Sequence, residues 1–176
     1  MRFFALDEAR FGLKVWHRRR WCPRSYRPPW QVEDRYEWVW LYAAVEPVSG
    51  ESFCFYMPGV NGRCFELFLA QLRKAYPTER IVLVVDGAPA HRSGKVEWPK
   101  GMEKLELPRY SPELDPVERW FKELRDRLSN SVFATLEELE EALTHELRPY
   151  WEEPLRLARL AGYGWWLEAF NPIPTS

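Results

Sequence analysis

Residues 80–86, with the sequence RIVLVVD, constrain the fold of this chain more than any other segment. Apolar and β-branched residues follow one another here with almost no polar interruption, which is typical of a strand buried on both faces. Such a strand needs helices on both sides of its sheet, so the segment predicts an α/β architecture. It ends at Asp86, and ligands of open α/β sheets collect at the carboxyl ends of strands. A turn at Asp-Gly would explain this aspartate equally well.

The elements around this strand predict a mixed sheet. A first strand and a hairpin precede a helix, so three antiparallel strands are joined to helix-linked parallel ones. Helices flank this mixed α/β sheet. The predicted elements are a strand over 2–8, two strands within 36–59 joined at 47–50, a helix over 61–77, a strand over 104–108, and helices within 111–130 and 135–147.

Capping residues mark the starts of the two later helices. Pro116 suits a first helical position, and Asp115 suits the cap before it. Thr135 and Glu138 form a capping-box pattern. We therefore expect one helix to begin beside Asp115 and the next beside Thr135.

The composition indicates a folded intracellular protein. The chain has 176 residues, of which 46% are hydrophobic, enough for one domain with a substantial core. Its three cysteines, Cys22, Cys54 and Cys64, are too scattered for a paired metal site and odd in number for a disulfide framework. No apolar run is long enough to span a membrane, and acids near the start argue against a secretory signal. We expect a cytoplasmic location.

Residues 14–30 concentrate positive charge, although the net charge of the whole chain is −1. This stretch contains no acid, and its cations alternate with Trp16, Trp21, Tyr26 and Trp30, so it could bind phosphates while aromatic rings stack on bases or sugars. The alternative is a solvated loop whose aromatic residues pack into the core. The candidate DNA-binding residues are Lys14, Arg18, Arg19, Arg20, Arg24 and Arg27.

Three carboxylates are candidates for one metal site. Asp7 closes the predicted first strand, Asp86 closes the central one, and Glu118 lies in the first turn of a later helix. Such a cluster repels itself unless a cation is present, and hard oxygen ligands suit Mg²⁺ or Mn²⁺. Two such ions about 4 Å apart would activate a water or a sugar hydroxyl and stabilise the leaving oxygen of a phosphodiester.

Each of these residues also has a purely structural interpretation. Asp7 could be a solvated acid at a strand end, and Glu118 completes a capping box with Asp115 and an i,i+4 pair with Lys122. Glu8 is an alternative first-strand ligand, but strand alternation places it on the face opposite Asp7. His91 could be a surface turn residue or lie close to a site.

The motifs ALDEARFGL, IVLVVDGAPAHRS and LPRYSPELDPVERWFKELR together resemble the catalytic domain of bacterial insertion-sequence transposases related to mariner, over residues 3–130. The resemblance implies an RNase H-like fold and a DDE-type enzyme that cleaves DNA and transfers strands. It implies that Asp7, Asp86 and Glu118 are the catalytic, metal-binding acids, with Glu8 and His91 close to the site. It also implies Mg²⁺, replaceable by Mn²⁺, with two ions when DNA is bound.

The resemblance further implies a domain organisation and partners. Residues 1–150 would form the catalytic domain, and the aromatic-rich tail 151–176 would be helical and pack on it or on a partner. Members of this family carry a helix-turn-helix region before the catalytic domain, whereas here the first catalytic strand begins at residue 2. The open explanations are the second of two reading frames, whose partner would be a separately encoded helix-turn-helix subunit, a truncated remnant, or a domain expressed alone. We expect a dimer on DNA and a nucleoid location. The alternatives are an RNase H-like nuclease without strand transfer, or an inactive DNA-binding remnant of an insertion sequence.

Overall fold

The computed structural model describes residues 1–19, 21–26, 29, 34–86, 96–108 and 111–170 of the chain. Within these ranges a five-stranded sheet has the order β3-β2-β1-β4-β5, antiparallel on one side of β1 and parallel on the other. The predicted mixed α/β sheet is confirmed. The strands are β1 (Arg2–Gly12), β2 (Trp38–Val45), β3 (Ser52–Met57), β4 (Ile81–Val85) and β5 (Met102–Glu106).

Five α-helices of the described residues flank the sheet. Thr135 caps α3 by accepting a hydrogen bond from the backbone N–H of Glu138, as the sequence predicts, and Asn61 caps α1 by accepting one from the backbone N–H of Cys64. A short 3₁₀ turn at Pro112–Leu114 precedes α2. The helices are α1 (Gly62–Ala75), α2 (Pro116–Arg127), α3 (Leu136–Glu152), α4 (Pro154–Ala161) and α5 (Gly164–Phe170).

Both faces of β4 are buried, as its sequence predicts. Leu83 and Val85 pack against α1 in one apolar cluster, whereas Val84 packs on the other face in a cluster that contains α2 residues such as Trp120. The sheet is therefore the middle layer of three. This arrangement fixes the end of β4 rigidly between two cores.

Two strand boundaries differ from the sequence prediction. The prediction that β1 ends at residue 8 is wrong, because its pairing with β2 continues to the pair Gly12 and Trp38. Its pairing with β4 stops earlier, at Leu6 and Val85. The last parallel strand covers residues 102–106 instead of 104–108, since its register with β4 begins at Met102.

The tail packs on the same core as the sheet. Gly50, in the turn between β2 and β3, has a positive φ of 76°, and a Cβ there would lie 1.8 Å from the carbonyl oxygen of Pro154. Trp166 of α5 is fully buried in the cluster that contains α2, and α3 runs past residue 150 to Glu152. The division of the chain at residue 150 stays a prediction.

None of the helices in the described part of the chain has the length and apolar character that crossing a bilayer requires.

Candidate active site

Asp7 and Asp86 are brought together by the register of the two central strands. Leu6 and Val85 are the last paired residues of β1 and β4, so the two aspartates are the next residues along neighbouring parallel strands, which lie about 4.8 Å apart. Strand alternation places Asp7 on the same face of the sheet as Ala5, and Asp86 on the same face as Val84. Ala5 and Val84 both belong to the apolar cluster that packs on α2. The two predicted acids therefore share one edge and one face of the sheet.

The beginning of α2 adds two further carboxylates. Asp115 is the N-cap: its Oδ1 accepts a hydrogen bond of 2.9 Å from the backbone N–H of Val117. The Asp115 residue is only 4% exposed, whereas Glu118, in the first helical turn, is exposed. The predicted N-cap and first-turn position are both confirmed. The burial of Asp115 was not predicted, because the sequence shows only its capping pattern.

Burial and the charges of neighbouring acids raise the pKa of two of these carboxyl groups, Asp7 and Asp115. Burial raises the pKa of Asp7 well above its ordinary value, and the charges of Asp115, Glu8 and Glu118 raise it further. Burial also raises the pKa of Asp115 to about 7, together with the charges of Glu118 and Asp86 and against the lowering effect of its hydrogen bond to Val117. Asp7 and Asp115 are thus both destabilised in their charged forms by burial and by neighbouring acids.

Strand alternation directs the Glu8 side chain to the opposite face of the sheet from Asp7, although its charge still acts on Asp7 and Asp115. Its even-numbered neighbours Phe4 and Leu6 belong to the cluster on the α1 side, and Tyr42 lies there too. Burial and the charge of Glu8 raise the pKa of the Tyr42 phenol. Glu8 therefore lies nearer to Tyr42 and α1, as strand alternation predicts.

The acid cluster predicts a pH-dependent stability of the metal-free chain. The pKa of Asp115 rises from 3.8 to about 7 on folding, so between these pH values the folded chain binds more protons than the unfolded chain. The free energy of unfolding should therefore fall as the pH rises through this interval, by about 1.4 kcal/mol per pKa unit. Urea unfolding in a chelating buffer across this range measures the effect. The Asp7→Asn variant should show a shallower decline, and a free energy that rises with pH would contradict the argument.

The chemistry of the donors fits a hard divalent cation. Carboxylate oxygens are the ligands that Mg²⁺ and Mn²⁺ prefer. As placed, however, no group of three His, Cys, Asp or Glu side chains within the described ranges stands ready to hold a metal ion. His91 lies outside the described residues, as do Arg20 and Arg27.

The basic stretch forms the connection between β1 and β2, and its described aromatic residues face solvent. Trp16 is 59% exposed, Trp21 104% and Tyr26 55%, so the alternative that these rings pack into the core is wrong. Lys14 lies over the ring of Tyr36, and Arg19 and Arg24 are exposed. We call residues 14–26 the basic arm.

The root of the basic arm is attached to the end of α2. The Arg18 guanidinium forms an ion pair of 2.6 Å with Asp126, and its backbone N–H donates to the side-chain oxygen of Asn130. The backbone N–H of Asn130 in turn donates a hydrogen bond to the backbone carbonyl oxygen of Trp16. The arm is thus joined to the last turn of α2, at the opposite end of this helix from Glu118.

A groove with a volume of about 430 Å³ lies between the arm and α2. Glu118 is at one side of it, and three cations on α2 line it at intervals of three residues. The sequence did not lead us to predict that these cations line a groove, although residues three apart lie on one face of a helix. The cations are Arg119, Lys122 and Arg125, and the other lining residues are Trp16, Arg18, Glu113, Asp126 and Tyr163.

The fold and the acids together define an RNase H-like class: a five-stranded mixed sheet with carboxylates gathered where β1, the end of β4 and the start of α2 meet. A family model described as "DDE superfamily endonuclease" matches residues 2–140. The chain therefore belongs to the DDE endonuclease superfamily, which confirms the family resemblance of its motifs.

One curated relative and several solved structures are similar to this chain. An uncharacterized protein of Sinorhizobium fredii, y4pE/y4sA, is 30% identical over 104 residues, which cover 58% of this chain and 77% of that protein. The Mos1 transposase paired-end complex with left transposon end has a TM-score of 0.64 at 17% identity, over 92% of this chain and 53% of that one. The Mos1 mariner paired-end complex with Mn has a TM-score of 0.62 at 18% identity, over 92% and 54%. The chain spans about half the length of these Mos1 chains.

Proposed function

We propose that this chain is the catalytic domain of a bacterial insertion-sequence transposase, in which Asp7, Asp86 and Glu118 are the catalytic, metal-binding residues. The observation that supports the proposal best is the register of β1 and β4, which makes Asp7 and Asp86 the next residues after the last pair of two neighbouring parallel strands; the charge of Glu118 also acts on Asp7. Family membership and the Mos1 fold support DNA cleavage. The bacterial relative supports the proposed origin.

The described residues have distinct parts in this function. When bound, Mg²⁺ or Mn²⁺ would activate a water or a sugar hydroxyl and stabilise the leaving oxygen of the phosphodiester. The carboxylates of Asp7 and Asp86 would be held in fixed positions on adjacent strands, because β1 and β4 are packed against apolar clusters on both faces of the sheet. Glu118 would complete the oxygen set from the first turn of α2. The Mos1 complexes with Mn and with Mg support the use of a divalent ion.

Strand transfer, two ions on DNA and action as a dimer are further parts of this proposal. The Mos1 structures include a paired-end complex and a strand transfer complex, which supports two DNA ends and a joining step here. Recognition of the element ends would be the task of a helix-turn-helix region, and the part of Mos1 that this chain does not match leaves room for such a region. A DNA substrate would place the protein with the nucleoid.

The decisive experiment is a cleavage assay on supercoiled plasmid DNA with Mn²⁺ or Mg²⁺. We expect metal-dependent nicks with free 3′-hydroxyl ends, followed by joined products. Cleavage of RNA–DNA hybrids or branched DNA without joining would favour the nuclease alternative. DNA binding without any metal-dependent cleavage would contradict the proposed activity and favour the inactive remnant.

DNA binding is expected to depend on phosphate contacts of the basic arm. The proposed contacts are Lys14, Arg18, Arg19, Arg20 and Arg24 of the arm, together with Arg27 just beyond it. Replacing both Arg19 and Arg24 by Gln should weaken duplex binding and make the slope of log affinity against log salt concentration shallower by about 2. Arg148→Gln, an exposed charge on α3, is the matched control and should leave the slope unchanged. Equal slopes for the two variants would refute the arm contacts.

A further inference from the structure

The groove between the basic arm and α2 has a row of three cations on its α2 side, Arg119, Lys122 and Arg125. None of the three forms an ion pair with a carboxylate in the described part of the chain. The Arg119 guanidinium lies 4.5 Å from the ring centre of Tyr163, and that of Arg125 lies 5.6 Å from the ring centre of Phe11. Lys122 is exposed. Cations without a carboxylate partner beside a groove favour an anionic occupant.

The acids of the same groove leave this row positive. Asp126 is paired with Arg18 through a contact of 2.6 Å. Glu118 is a proposed ligand of a divalent cation, which would neutralise its charge. Glu113 lies in the 3₁₀ turn that precedes α2. Positive charge is therefore concentrated along the part of α2 that follows its first turn.

Two aromatic side chains line the groove together with these cations. Trp16 of the basic arm is 59% exposed, and Tyr163, in the connection between α4 and α5, is half-buried. Aromatic rings beside cations are the combination by which proteins hold single-stranded nucleic acid, because the rings stack on bases while the cations contact phosphates. The lining of the groove matches this combination.

The aromatic lining favours an unpaired strand over a duplex. Inside a duplex each base is covered by its neighbours, so a side-chain ring can stack only on a base that has left the double helix. The cations from Arg119 to Arg125 extend over about 9 Å of the helix axis. This length corresponds to about two or three stacked nucleotides at about 3.4 Å each. A groove of about 430 Å³ has the size of a small-ligand site and suits a few nucleotides of one strand.

We propose that the groove between the basic arm and α2 binds a short unpaired segment of one DNA strand, with a base stacked on Trp16 and phosphates on the α2 cations. The inference rests on the proposed action on DNA and specifies the form of DNA that the site takes. Glu118 lines the same groove, so a strand bound there leads towards the proposed catalytic acids. Because stacking tolerates every base, the groove selects an unpaired strand and not a sequence.

Binding of two DNA probes in a chelating buffer tests this inference without requiring cleavage. One probe is a blunt duplex, and the other is the same duplex with a 3′ extension of about three unpaired nucleotides, the number that the cation row accommodates. Fluorescence anisotropy gives both affinities. Trp16→Ala removes the stacking ring, whereas Trp16→Phe keeps a ring. Trp151→Ala, at an exposed tryptophan of α3 that does not line the groove, is the matched control.

The unaltered chain should bind the extended probe more tightly than the blunt one. Trp16→Ala should weaken binding of the extended probe about 5-fold or more, as loss of a base–aromatic stack does, and leave binding of the blunt duplex nearly unchanged. Trp16→Phe should retain most of the preference. Both variants should melt at nearly the temperature of the unaltered chain, because Trp16 is exposed.

A charge variant tests the phosphate contacts separately. Lys122→Gln should make the slope of log affinity against log salt concentration shallower by about 0.7 for the extended probe, the value for one phosphate contact on a single strand. Arg148→Gln, on α3, is the matched control and should leave this slope unchanged. Equal slopes for the two variants would refute the α2 contacts.

The outcomes distinguish this inference from the proposed function. Equal affinity for the two probes, or equal losses in Trp16→Ala and Trp151→Ala, would overturn the inference, while metal-dependent plasmid cleavage would leave the proposed function standing. Tighter binding of an RNA extension of the same sequence would overturn the assignment to DNA. If the unaltered chain binds neither probe and cleaves no plasmid, both the inference and the proposed function fail.

Discussion

Asp86→Asn should abolish metal-dependent DNA cleavage while leaving the fold intact. If the loss of one metal ligand removes about 4 kcal/mol of transition-state stabilisation, the cleavage rate falls about a thousand-fold. Asp86 suits this test better than Asp7, because it is exposed after the end of β4 whereas Asp7 lies within a paired strand. The initial rate of plasmid nicking under saturating Mn²⁺ is the measurement.

Binding and folding controls make this result specific. The Asp86→Asn chain should bind a DNA duplex as well as the unaltered chain does and should melt at nearly the same temperature. Glu141→Gln, which removes an exposed charge far along α3, should retain full cleavage. Cleavage by Asp86→Asn at more than a tenth of the normal rate would exclude Asp86 as an essential ligand.

Trp166→Ala should cause the largest loss of stability among substitutions in the tail. Trp166 is fully buried in the α2 side of the core, and its ring lies 4.7 Å from that of Phe170, which stacks on Phe3 of β1. Removing a buried indole costs about 3–5 kcal/mol, since the cavity closes only in part. At about 2–4 °C per kcal/mol for a chain of this size, the melting temperature should fall by roughly 6–20 °C.

Two other substitutions sharpen the interpretation. Trp21→Ala removes a fully exposed ring of the basic arm and should change the free energy of unfolding by less than about 0.5 kcal/mol. Trp166→Phe should cost much less than the alanine variant, because the buried indole N–H of Trp166 has no hydrogen-bond partner to lose. A Trp166→Ala chain as stable as the original would mean that the tail does not belong to this core.

Local sequence patterns predicted the parts of the fold that depend on local physics. The continuous apolar run at 80–86 identified β4 and its burial, and the cap at Asp115 identified the start of α2. Pairing between strands that are far apart in the sequence could not be predicted from local patterns. The extension of β1 to Gly12 depends on β2, which begins at Trp38 after a long connection. A strand boundary set by such a partner has no local signal.

The candidate site was partly visible for the same reason. Asp86 and Glu118 lie at element ends that the sequence marks, so they could be selected before their distance was known. Burial of Asp115 depends on how α2 packs on the sheet, and the cations of the groove lie on the polar face that helical periodicity leaves unspecified. A mixture of Arg and Trp was equally compatible with a packed and an exposed arm, and only the structure separates these alternatives.

Because the basic arm is attached to the last turn of α2, the length of this helix sets the distance between the arm and Glu118. Glu118 is in its first turn, and Asp126, which holds Arg18, is in its last, about 12 Å away along the helix axis. For a duplex lying along α2, this length corresponds to about three to four base pairs at 3.4 Å each. In the proposed function, the arm would meet the DNA at a constant offset from the bond that is cut, and the length of α2 rather than the base sequence would set that offset.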